Sequence, residues 1–179
     1  MLLQKRIVIL LFFLSLNLYA QSDVKIFGSV GYGFLSGNIP DISSFGFMGG
    51  VQFPFQIIEG ADIKTEFIWV KNSKYFFPSS STKYYSYITA FAISGLINQQ
   101  IDENIYFEES IGYLFLSDKV YEFESSINHG INLTAALGIK LDKQNPQSNA
   151  VLFGFNYGLT FTNKNTSYFI TYIQYKVSL

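Results

Sequence analysis

The chain has 179 residues, of which 49% are hydrophobic, 18% aromatic and only 14% charged, and it contains no cysteine. One domain of that length can bury a sizeable core, the aromatic content excludes disorder over most of the chain, and the missing thiols exclude a disulfide framework, a thiolate metal site and a cysteine nucleophile. With 12 lysines and arginines against 13 acids, and Arg6 as the only arginine, the chain lacks the basic face that nucleic-acid binding requires.

Residues 1–20 read as a secretory signal peptide. Lys5 and Arg6 form a short positive region, Ile7 to Leu14 is an unbroken apolar run, and Leu18-Tyr19-Ala20 ends in a small residue before Gln21. Cleavage after Ala20 leaves residues 21–179 as one exported domain. The alternative is an uncleaved anchor helix, but the apolar stretch is shorter than the ~20 residues a span needs. No cysteine sits near the cut, which excludes a lipoprotein anchor.

From Val24 onward the dominant signal is alternation with a period of two. Val24, Ile26, Val30, Tyr32 and Phe34 share one face against Lys25, Ser29, Gly31 and Gly33. Phe45, Phe47, Val51, Phe53, Phe55 and Ile57 then oppose Gly46, Gly50, Gln52 and Gln56, and Thr65, Phe67 and Trp69 oppose Lys64 and Glu66. A fourth stretch sets Tyr85, Tyr87, Phe91, Ile93 and Ile97 against Ser86, Ala90, Ala92, Ser94 and Asn98. It lies in an uncharged run, Tyr84 to Ile101, long enough for a transmembrane helix, but the polar interruptions and alternate aromatics favour a strand. In the fifth, Ile105 to Leu116, the apolar face of Phe107, Ile111, Tyr113 and Phe115 also contains Glu109, which suggests a β-bulge near Glu108-Glu109. The last three stretches set Ile131, Leu133, Leu137, Ile139 and Leu141 against Asn132, Thr134, Gly138 and Lys140; Val151 to Phe161 against Gly154, Asn156, Gly158 and Thr160; and Phe169, Ile173, Tyr175, Val177 and Leu179 against Tyr172, Gln174, Lys176 and Ser178.

The connections alternate too. Ile58 to Asp62, Asn98 to Asn104 and Lys143 to Asn149 are compact, whereas Ser36 to Ser44, Asn72 to Lys83 and Ser117 to Gly130 are mostly longer and richer in Ser, Asn and aromatics; Thr162 to Ser167 is a short exception. A single soluble sheet cannot bury so many large side chains, whereas a lipid-facing surface has no such limit and a small barrel needs modest residues inside. Amphipathic strands, an even count of about eight and alternating connection lengths therefore predict an all-β, eight-stranded antiparallel up-and-down transmembrane β-barrel. Closure pairs every backbone donor and acceptor, which in hydrocarbon would otherwise cost several kcal/mol each.

With this leader, these strands and the final run Tyr168 to Leu179, the chain resembles the small outer-membrane β-barrel proteins of the OmpA-barrel and OmpX type. The resemblance is one of pattern and carries no diagnostic motif. It implies an outer-membrane location in a Gram-negative-type bacterium, lipid as a partner, and recognition of the C-terminal strand by the barrel-insertion machinery. In that family the last residue is often aromatic; here it is Leu179, with Tyr175 and Phe169 at alternate positions before it. With the N-terminus at the periplasm, Lys25, Lys64, Glu66, Glu108, Lys140 and Lys176 all fall near the periplasmic ends of their strands, and all six face the lumen if Glu108, rather than Glu109, points inward, as a charge cluster that plugs the lower barrel. The alternative is a set of independent, water-solvated polar residues. Tyr32, Phe34, Phe45, Trp69, Tyr85, Phe115, Phe161 and Phe169 would form an outer aromatic rim, with Phe55, Phe107 and Tyr175 at the inner one.

The sequence offers little for catalysis. His129 is the only histidine, and some outer-membrane lipid A deacylases carry a His-x-Ser-Asn motif; here His129-Gly130-Ile131-Asn132 puts Ile131 where the nucleophile should be. One histidine and scattered carboxylates make no specific metal site, and Gly28 to Gly33 sits in a strand with no following helix to present a phosphate site. The reading is a non-enzymatic barrel without cofactors, with an envelope-structural role or a binding role for the aromatic loops, Tyr75-Phe76-Phe77-Pro78 and the segment holding Tyr121 and Phe123. An eight-stranded lumen is filled by side chains, so bulk diffusion of solutes is not expected. Two alternatives stand beside it: a soluble exported lipocalin-like barrel enclosing an apolar ligand, and an outer-membrane lipid-modifying enzyme using His129.

Overall fold

The computed structural model describes residues 24–37, 41–55, 58, 60–77, 85–121, 124–142, 148–161 and 166–179. The predicted leader and its cleavage site lie outside them. Eight antiparallel strands close into a barrel in chain order: β1 (Lys25–Ser36), β2 (Ile42–Pro54), β3 (Ala61–Asn72), β4 (Tyr87–Gln100), β5 (Ile105–Tyr121), β6 (Glu124–Lys140), β7 (Ala150–Thr160) and β8 (Ser167–Ser178). A one-turn 3-10 helix over Ser73–Tyr75 follows β3. The uncharged Tyr84–Ile101 run is mostly strand, as its alternate aromatics predict.

The register defines the barrel's shape. A row of paired residues that starts at Lys25 passes through Gln52, Lys64, Ser94, Gly112, Asn132, Gly158 and Tyr168, then meets β1 again at Leu35, ten residues along. Eight strands with that stagger are inclined by roughly 35–45° and enclose a space only as wide as the side chains that fill it. Both described chain ends lie at one mouth, where Leu179 N–H donates to Val24 O at 3.0 Å. We refer to this as the terminal end and to the opposite mouth as the loop end. At the terminal end the β2–β3 turn passes through Gly60, whose φ of +77° lies in the left-handed region that glycine enters without steric cost.

Alternation holds along every strand, and it sends the large residues of the predicted apolar faces outward. Phe34, Phe67, Ile111 and Phe153 are each at least half exposed, while Lys64, Glu66, Gln52 and Asn132 are fully buried. The lipocalin-like alternative needs the reverse arrangement.

The structure corrects three expectations. Pairing of β5 with both neighbours runs unbroken through Glu108 and Glu109, so no bulge lies there; the irregularity sits between Asp118 and Tyr121. Glu109 simply points outward, where Gln99 Nε2 donates to it at 2.7 Å. Ser117–Gly130 is not a long loop, because β5 and β6 continue as a hairpin up to Tyr121 and from Glu124. Finally, the inner face is not uniformly small and polar: Leu35, Ile68, Ile88, Leu114, Leu116 and Ile170 are completely buried inside the barrel. Their positions have lumen parity, but their side chains are as large as those facing outward.

Candidate functional site

The lumen divides into two halves of opposite chemistry. In the terminal half, β3 contributes Lys64 and Glu66 two residues apart, which puts both on the inner face. Lys64 Nζ lies 3.3 Å from Glu66 Oε2 and 4.8 Å from the centre of the Phe27 ring. The other carboxylate oxygen, Glu66 Oε1, accepts from Asn132 Nδ2 at 2.7 Å and from Asn156 Nδ2 at 3.1 Å. Tyr168 OH in turn donates to Asn132 Oδ1 at 2.8 Å. This one carboxylate therefore ties β3 to β6 and β7, and through Asn132 to β8. A carboxylate with several charge-assisted donors is the arrangement that makes a buried charge tolerable.

Nearer the terminal mouth, Lys176 of β8 pairs with Glu108 of β5 across the barrel. Asp62 accepts from Gln52 and, at 3.0 Å, from Asn98. A cavity of about 160 Å³ opens at this mouth among Lys25, Lys140, Lys176, Asn98, Gln100 and Tyr106. Of the six predicted cluster residues, the barrel thus brings Lys64, Glu66, Glu108 and Lys176 into two ion pairs. It leaves Lys25 and Lys140 half-buried at the rim, where Lys140 donates to Gln100 Oε1 at 2.9 Å. The buried atoms Gln52 Oε1, Glu108 Oε1, Tyr172 OH and Gln174 Nε2 have no hydrogen-bond partner, which marks this half as polar enough to accept internal water.

Sequence reasoning missed the aromatic part of this assembly. Phe27, Tyr106 and Tyr168 sit at inward positions, and their size masked their parity. The signal that could have found the two tyrosines is a glycine directly across the pair: Tyr106 opposes Gly138, and Tyr168 opposes Gly158. Each ring lies flat over its glycine, so a Cβ at Gly158 would come within 2.1 Å of the Tyr168 ring.

The loop half is packed mainly with aliphatic side chains. Leu35, Ile68, Val70, Ile88, Leu114, Leu116 and Ile170 fill it as an aliphatic stopper. A polar cap closes it at the mouth, where Asp118 accepts from Asn128 Nδ2 at 2.7 Å and from Thr166 Oγ1 at 2.9 Å.

Outside the barrel, Tyr32, Phe45 and Trp69 of the predicted outer aromatics gather around Phe76, whereas Phe115 on β5 lies beside His129 and Phe169 on β8 stacks against Phe155. Tyr32 meets Phe45 edge-on at 5.2 Å between ring centres, and Phe45 meets Phe76 at 5.3 Å. The one-turn helix after β3 therefore folds over the outer wall. Pro78 of the predicted loop motif, and the side chains of Tyr121 and Phe123, lie outside what is described. His129 is exposed on the outer wall with its ring beside Tyr113 and Phe115. Asn132, three residues on, is buried in the lumen, so the two polar residues of that stretch occupy opposite sides of the wall. Among the described residues no group of three His, Asp or Glu side chains could hold a metal.

No family model matches the chain, and no curated protein sequence does. Solved structures do match. Neisserial surface protein A superposes with a TM-score of 0.64 at 10% identity, covering 86% of this chain and 96% of that one. The attachment invasion locus protein Ail of Yersinia pestis, solved in complex with the heparin analogue sucrose octasulfate, superposes with a TM-score of 0.52 at 12% identity, covering 86% and 97%. At such low identity the likeness is one of fold, and the fold is that of the small eight-stranded outer-membrane β-barrels.

Proposed function

We propose that the protein is a small integral outer-membrane barrel, non-enzymatic, that conducts no solute through its lumen and acts beyond envelope integrity through its loop end. The observation that carries this reading is the combination of an apolar outer girdle with a lumen closed by the protein's own side chains. Hydrocarbon accepts the first, and the second leaves no path for bulk diffusion.

On this reading the terminal end faces the periplasm and residues 1–20 are removed after Ala20 during export. The last strand, β8, is the segment presented to the insertion machinery. Lys64, Glu66, Glu108 and Lys176 act as a structural plug, with Lys25 and Lys140 as its periplasmic rim. No catalytic, metal or cofactor role is assigned to any residue.

The test is fractionation of cells producing the full chain, followed by gel migration with and without heating and by planar-bilayer recording. The reading expects outer-membrane recovery, a heat-dependent shift in migration and no steady conductance. Recovery of the folded protein in the soluble periplasmic fraction would overturn it. A lasting ion conductance would overturn the closed lumen alone.

A further inference from the structure

We propose that the outer wall at the loop end of β2–β4 binds the anionic phosphate headgroup of an outer-leaflet lipid, with Lys71 as the cation and an aromatic shelf beneath it. The inference rests on the membrane orientation proposed above. Lys71 occupies the last outward position of β3, since Ile68, Val70 and Asn72 are buried inside. Its Nζ lies 3.5 Å from the centre of the Tyr75 ring, 5.2 Å from that of Tyr87 and 5.7 Å from that of Trp69. Among the described residues no carboxylate lies within ion-pair distance of it. The rings attract the cation through their π faces, but they offer its three N–H donors no acceptor, and among the described residues no oxygen accepts from them.

The shelf is built, not incidental. Asn72 Oδ1 accepts from Lys74 N–H at 2.9 Å, and Phe76 N–H donates to Ser73 O at 3.0 Å, which closes the turn. Ser43 and Ser73 hydroxyls bond at 2.8 Å and pin that turn to β2. Phe76 is thereby held against Phe45, Phe47 and Trp69 outside the barrel instead of over its mouth. Phe77 beside it is 72% exposed. An ammonium with no carboxylate partner among the described residues, directly above rings continuous with the apolar girdle, fits a ligand that is anionic at one end and apolar at the other. An outer-leaflet lipid that carries a phosphate at its headgroup above acyl chains has that chemistry, and a lysine snorkelling at the girdle's edge meets it at headgroup depth.

Trp69 is the only tryptophan in the chain, so its fluorescence reports this site alone. The full-length mature protein is folded into phosphatidylcholine vesicles, and insertion is scored first by heat-dependent migration. Quenching of Trp69 is then compared between brominated phosphatidic acid and brominated phosphatidylcholine at the same low mole fraction. The expected result is preferential quenching by phosphatidic acid by about fivefold, the factor for one lysine near an anionic surface. Lys71→Gln brings the ratio close to one, whereas Lys74→Gln, on the same turn but outside the ring cage, keeps most of it. Tyr75→Leu, which keeps the charge and removes a ring in the loop, lowers the preference without affecting insertion. A ratio of one in the inserted wild-type protein, or equal losses in the Lys71 and Lys74 variants, overturns the site. Failure of the wild-type protein to insert would instead overturn the membrane reading.

Discussion

The two halves of the lumen close the same barrel by opposite means. The terminal half uses two ion pairs and a carboxylate that serves Lys64, Asn132 and Asn156 together. The loop half uses aliphatic packing around Leu114 and Ile88. The difference lies in how each half fails. A charge removed from the terminal half leaves its partner buried and uncompensated, whereas a methylene removed from the loop half leaves only a cavity. Stability in the first half resides in pairs and in the second half in volume.

The sharpest way to break this comparison is at Glu66. Glu66→Ala strands Lys64 and the two asparagine donors, and a loss of about 3–5 kcal/mol is expected in urea unfolding from lipid vesicles. Replacing the pair together, Lys64→Met with Glu66→Leu, should recover the part of that loss due to the stranded ammonium, because the desolvation cost disappears with the charges, while the two asparagine donors stay unpaired. If the double variant is as unstable as the single one, the pair is not the unit of stability. The double variant should also remain non-conducting, since the aliphatic stopper above it is untouched.

The counterpart in the loop half is Leu114→Ala, with an expected loss of about 2–4 kcal/mol from transfer and cavity terms. No compensating partner exists for it, so a second substitution at Ile88 should add to the loss without reversing it. Replacing both with serine should wet the stopper and allow ion conductance in planar bilayers. A silent bilayer there would show that the Asp118 cap closes the mouth unaided.

Between these extremes lies the wall that couples the halves. Gly158→Val places a side chain where the Tyr168 ring now lies, and displacing that ring costs the hydroxyl's bond to Asn132. A loss of about 1–3 kcal/mol is expected from the overpacking. Tyr168→Leu in the same background should relieve part of it, which unfolding midpoints of the two variants would reveal.

Much of this was legible in the sequence. Period-two alternation placed Lys64, Glu66, Gln52 and Asn132 on one face and Phe47, Phe67 and Phe91 on the other, and the structure has them so. The aliphatic stopper was not legible, because in the loop half both faces are apolar, one against lipid and one against itself. Alternation with Ile111 and Tyr113 places Phe115 outward, as the structure has it, but Leu114 is no smaller or more polar than an outward residue, so nothing in its chemistry announces a packed interior. Closure of the sheet supplies its neighbours. The ion pairs were legible as a set of inward charges but not as partners: Glu108 and Lys176 are 68 residues apart and meet only because the barrel brings β5 and β8 face to face. The loop-end aromatics were recognisable as a girdle, while their organisation around Lys71 depends on one turn of 3-10 helix folding outward.

Glu109 gives the smallest effect and the finest test of the outward face. It is the one acid of β5 that points away from the lumen, level with Ile97 and Ala135 toward the terminal end, and it accepts from Gln99. Carboxylates on a lipid-facing wall cost less than lysines, and near an interface the penalty for a charge falls to about 0–1 kcal/mol. Glu109→Leu should therefore stabilise the folded protein slightly, by no more than about 1 kcal/mol, in vesicles of ordinary thickness. The gain should grow in bilayers with longer acyl chains, which draw this level deeper into hydrocarbon. Glu108→Leu, one residue away on the inner face, should move stability in the opposite direction whatever the bilayer thickness, because it strands Lys176 in the lumen. Opposite signs at adjacent residues are the signature of a wall with lipid on one side and a packed polar interior on the other.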